Sequence, residues 1–90
     1  MGKDAVSSVL SERGKRYGRF TGHAKLSQGF KVLMHESVGW AALSDDQAES
    51  LEMIVHKIAR ILNGDPDYPD SWLDIAGYAR LVHDRLVKEV

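Results

Sequence analysis

A chain of 90 residues, 43% of them hydrophobic and 28% charged, falls in the range of one small globular domain and excludes wholesale disorder. It has no cysteine, which excludes disulfides, thiolate zinc sites and cysteine nucleophiles and fits a reducing cytosol. The formal net charge of −1 conceals a split, because residues up to Lys31 sum to roughly +5 and the remainder to roughly −6. The two ends are suited either to attract each other, within or between subunits, or to form a phosphate-binding patch beside a cation-binding one.

The periodicity reads as helix almost throughout, and no segment alternates as a strand would. Asp4 is placed to cap a first helix, about 4–14, that carries Val6, Val9 and Leu10 and ends in the Gly14 to Gly18 region. Thr21 is placed to cap a second, about 21–37, with Leu26, Phe30, Leu33 and Met34 on one face and Gly29 marking a close helix contact. In "VGWAAL", Trp40 and Leu43 are expected to plug the core. "SDDQ" is a capping box that opens a third helix, about 45–62, and Asn63-Gly64 is expected to stop it in a left-handed pair. Pro69 or Asp70 starts a fourth, about 70–88. The chain therefore reads as a single all-α domain over 1–90, a small four-helix, bundle-like domain whose last two helices form an antiparallel hairpin. Its core is modest, so a homo-oligomer is expected. With no signal-peptide run and no 18-residue apolar stretch, the protein reads as soluble and cytoplasmic, with no membrane partner.

At 100° per residue, Leu51, Ile54, Val55, Ile58, Ile61 and Leu62 share one half of the third helix, opposite a polar stripe of Glu49, Glu52, His56, Arg60 and Asn63. That stripe is either a solvated face with weak pairs such as Glu52–His56, or two carboxylates one turn apart that suit Mg²⁺, with Arg60 available to a phosphate. On the fourth helix Trp72, Ile75, Ala76, Ala79, Val82 and Leu86 form the main apolar face, and Asp70, Asp74 and Arg85 project from the other side. Leu81 interrupts that polar side, which suggests that another helix or subunit covers it and raises the value of Asp74 as a metal ligand or cation partner. Asp70 is suited to cap the helix or to bind metal, and Asp65 and Asp67 read as turn chemistry.

Several chemistries fail on spacing. The Asp65-Pro66-Asp67 loop lacks the glycine and glutamate of a calcium loop, and His83-Asp84 is a dipeptide close to chance. Arg13, Lys15, Arg16 and Arg19, with Tyr17 and Phe20 interleaved, could touch nucleic acid, but a pI of about 6.4 argues against a dedicated DNA binder.

"ERGKRYGRF", "HAKLSQGFK" and "LEMIVHKIARILNGDPDYPDSWLDIAGYARLV" closely resemble a family of small phage and prophage proteins whose function is unknown. A more distant resemblance is to MazG-like all-α nucleotide pyrophosphohydrolases, through "ESLE" and "SWLDIAGYA". That resemblance implies that Glu49, Glu52, Asp70 and Asp74 hold Mg²⁺, with Glu52 and Asp74 catalytic. It also implies that Lys57 and Arg60 contact phosphates, while Tyr78 or Trp72 stacks a base. The sequence departs from the MazG-like pattern at Ala48-Glu49, where a Glu-Glu pair is missing, and at Ser71, where the first acid of the later motif is missing.

Three functions follow as expectations. The first is a MazG-like nucleotide-binding protein, with Mg²⁺-dependent pyrophosphohydrolysis as its catalytic version. A second is a non-catalytic phage protein that sequesters a host signalling nucleotide through "RGKRYGRF", including Arg16 and Arg19, at a subunit interface in the bacterial cytoplasm. The third is a protein-binding inhibitor of a host factor.

Overall fold

The computed structural model describes residues 4–89, which form four α-helices: α1 (Ala5–Tyr17), α2 (Phe20–Glu36), α3 (Asp45–Asn63) and α4 (Pro69–Glu89). One 3₁₀ turn, Trp40–Ala42, links α2 to α3, and among the described residues there is no strand. No helix among them is long and apolar enough to cross a membrane. The fold class is all-α, as the periodicity indicates.

Local chemistry explains the helix ends. Asp4 caps α1 by accepting from the Ser7 N–H at 2.7 Å. The Ser44 N–H donates to Gln47 Oε1 at 2.9 Å, one arm of the expected capping box. Asp65 Oδ1 accepts from the Asp67 N–H at 2.9 Å, so the loop before α4 is an Asx turn.

Four local expectations are corrected. α2 begins at Phe20 behind Arg19, with no side-chain cap, so Thr21 already lies inside the helix. Gly64 has φ −139° and is not left-handed; it is glycine because any Cβ there would collide with the backbone of Arg16 and Tyr17. Gly29 makes no close contact, and that role falls to Gly18 and Gly22, both pressed against Asn63. Asp70 sits in the first turn of α4 and accepts from the Tyr68 hydroxyl at 3.0 Å instead of capping the helix.

α3 is the central element, packed on α2 and α4 and touching α1. The start of α3 is tied to the end of α4 by Arg85, which donates from Nε and Nη2 to the Asp46 carboxylate at 2.7 Å and from Nη2 to Ser44 Oγ at 2.9 Å. Further along, Lys57 Nζ meets Asp74 Oδ2 at 3.0 Å. Toward α2, Glu52 meets His35, and His56 meets His23.

These contacts turn the helices so that the expected apolar faces are only partly inside: Ile54, Val55, Ile61, Ile75 and Val82 are half-buried, and the fully buried positions are mostly polar. Ser27, Ser50, Lys57, Ser71 and His23 are buried, and Ala59 is the one apolar residue among the described ones that is. Leu51, Ile58, Leu62, Trp72 and Leu86 are exposed, Leu81 is 67% exposed and not covered within the chain, and Trp40 and Leu43 are only half-buried. The cause is geometric. One side of α3 is turned to α2 and another to α4, and the direction of Leu51, Val55, Ile58 and Leu62 lies between those two contacts, against neither.

Candidate functional site

The junction of α1 and α2 is held by one side chain. Gly18, with φ 77°, ends α1 and donates its N–H to the Gly14 carbonyl at 3.0 Å. Asn63, the last residue of α3, donates from Nδ2 to the carbonyls of Tyr17 and Arg19, each at 2.8 Å. The Asp65 N–H adds a bond to the Arg16 carbonyl at 2.8 Å. The basic segment is thereby fixed beside the C-terminal end of α3.

A cavity of about 600 Å³ opens at this junction, bounded by α1, α2 and α3. Arg13, Arg19 and Arg60 line it together with His23 and His56, and its lining contains no acidic residue. None of the three arginines has a carboxylate partner among the described residues, whereas Arg16, Arg80 and Arg85 do. The Arg60 guanidinium lies 4.1 Å from the centre of the Tyr17 ring, which holds it by cation–π attraction and leaves its N–H donors free for an anion.

The two imidazoles form the floor, with ring centroids 4.5 Å apart at 81°. His23 is 8% exposed, and its Nδ1 has no hydrogen-bond partner. A buried polar atom in that condition costs free energy. Burial pushes the His56 pKa down to about 4, aided by His23, Arg60, Lys57 and Lys31. His23 is lowered by burial first and then by Arg60, Lys31 and Lys57. Phe20, 70% exposed, lies stacked over His23 with centroids 6.1 Å apart and presents an aromatic ring at the mouth.

The sequence-derived residues divide between this cavity and elsewhere. Arg19 and Arg60 line it. Arg16 instead bonds Glu12 at 3.3 Å and stacks over Tyr68 at 4.5 Å. Glu49 is exposed, Glu52 bonds His35 Nε2 at 2.7 Å, Asp70 is bonded by Tyr68, and Asp74 pairs with the buried Lys57. The four carboxylates each have separate surroundings, and among the described residues no group of three or more His, Asp or Glu stands where it could hold a metal ion. As placed, they do not fit a Mg²⁺ site. Tyr78 faces a shallow groove along α4 with Asp74 and Leu81, and Trp72 spends its indole N–H on the Pro66 carbonyl at 2.8 Å.

Reasoning from sequence missed His23 altogether and treated His56 as part of a solvated stripe. The signal was present: His23 lies seven residues before Phe30, so a polar side chain shares the inward phase of an apolar one.

The family match covers residues 3–86. The chain belongs to the family described as Domain of unknown function (DUF6378). No curated protein and no solved structure matches it. The DUF6378 description assigns no activity, so the chemistry of this member rests on the cavity itself.

Proposed function

We propose that this protein binds a phosphate-bearing small molecule, a nucleotide by class, in the cavity between α1, α2 and α3, and that it does so without metal-dependent hydrolysis. The observation that carries the reading is the convergence of three arginines, without carboxylate partners among the described residues, on the buried His23 and the half-buried His56 in a chain whose net charge is only −1. Guanidinium forks match phosphate oxygens in geometry as well as charge. His23 Nδ1 is a further polar atom without a partner, and exposed Phe20 offers a stacking surface for a base. The binding segment is "RGKRYGRF", with Arg13 and Arg19 in the role that sequence reasoning gave to Arg16 and Arg19. The antiparallel hairpin of α3 and α4, supported by the Asp46–Arg85 and Lys57–Asp74 pairs, serves as its scaffold.

Calorimetric titration with nucleoside mono-, di- and triphosphates and with inorganic pyrophosphate, in EDTA, tests this reading. Saturable binding with the ligand recovered intact is expected. Binding that requires Mg²⁺ and releases pyrophosphate would select the hydrolytic alternative built on Glu52 and Asp74. No binding across the panel would favour the protein-docking alternative.

A further inference from the structure

The outward-facing residues of α3 are spaced as a contact seam. Leu51, Val55, Ile58 and Leu62 follow intervals of four, three and four residues, the repeat by which one helix meets another. Leu51 is 41%, Ile58 36% and Leu62 61% exposed. With α3 antiparallel to α2 and α4, helical phase puts Leu33 of α2 and Trp72 and Leu86 of α4 on the same side, where they too are exposed. The face is therefore broad and continuous across three helices.

We propose that this face is the interface with a second copy of the same chain, related by a two-fold axis that crosses α3 near Val55 and Ile58. Two observations single out that occupant. The first is area: the chain exposes 6718 Å², whereas a 10.0 kDa monomer exposes about 5,200 Å². The excess of roughly 1,500 Å² per copy, or about 3,000 Å² per pair, matches a permanent dimer. The second is the core. One buried apolar residue does not hold a domain of this size together, so the covering partner must be present whenever the chain folds, and a second copy always is. A self-complementary patch of this kind closes at two copies.

The polar residues inside the protomer then have a simple explanation. Lys57, Asp74 and the serines fill the contacts among α2, α3 and α4, while the apolar core of the folded protein lies between the copies.

Sedimentation equilibrium of the full chain, with urea midpoints at two protein concentrations a hundredfold apart, tests the proposal. The expected mass is about 20 kDa, with a midpoint that rises with concentration. A mass of 10.0 kDa with a concentration-independent midpoint would overturn it. Ile58→Glu and Leu81→Glu locate the contact. The first is expected to give monomer or unfolded chain, while the second, on the outer side of α4, retains the mass of the parent. The reverse pattern would place the interface on α4 and reject the α3 seam. Because Leu81→Glu must fold for its mass to be retained, loss of folding in Ile58→Glu still discriminates.

Discussion

Lys57 Nζ lies 3.0 Å from Asp74 Oδ2, and the two side chains differ sharply in exposure, 11% for the lysine and 44% for the aspartate. The pair joins α3 to α4 at mid-length. Asp74 is the partial counterion of a buried ammonium, the cation-partner alternative that its place on α4 offered.

Asp74→Ala is expected to leave Lys57 buried without its partner and to destabilise the fold by about 1–3 kcal/mol. Lys57→Met, which removes the charge and keeps the volume, should be close to neutral. Urea denaturation of the two variants checks the asymmetry. Equal losses in both would contradict it.

Asn63→Ala removes both bonds to the Tyr17 and Arg19 carbonyls and the side-chain amide on which Gly22 rests. A loss of about 2 kcal/mol is expected, since two acceptors lose their donor at once. Gly22→Ala should also destabilise, because its Cβ meets the Asn63 amide. Proteolysis in the 14–20 segment, followed by mass spectrometry, should accelerate in both variants as α1 loosens.

Stability should fall as acidity rises through the histidine range. The folded pKa of His56 is depressed to about 4, from an ordinary value of 6.5 in the unfolded chain. Between these values the unfolded state binds more protons, so stability rises with pH from about 4 to 6.5 and is flat above. The contribution is on the order of 2 kcal/mol after solvent screening, and His23 acts in the same direction. His56→Gln should flatten the slope of melting temperature against pH in that window.

A second acid transition is expected lower down. The Arg85 guanidinium, with help from Ser44, holds the Asp46 carboxyl at about 2, below its ordinary 3.8. Its stabilisation is complete above pH 3.8 and is lost as pH falls through about 2. Arg85→Ala should remove that part of the acid titration, seen by circular dichroism, and leave the slope between pH 4 and 6.5 intact.

The helices were legible because their signals are local. Asp4, Ser44 with Gln47, and the turn at Asp65 act within a few residues of themselves, and each does what its type suggests. Orientation was not legible in the same way. The apolar half of α3 pointed to a core, but the sequence pattern does not say whether that core lies within one chain, and Leu51, Ile58 and Leu62 are left exposed by it. The cavity was half legible: charge alone gave Arg19 and Arg60, while His23 and His56 meet across 33 residues of sequence, a separation that no spacing rule reaches.

Arg60→Ala should weaken phosphate binding about 10–100-fold, the worth of one charge-assisted contact. The most direct test of the account follows the imidazole proton signals of His23 and His56 by NMR during titration with inorganic pyrophosphate in EDTA. Saturable shifts of both rings are predicted, with the His56 pKa moving up from about 4 as the bound anion favours its charged form. Saturable binding that leaves both rings unmoved and perturbs the Asp74 and Tyr78 groove instead, or no binding at all, would contradict it.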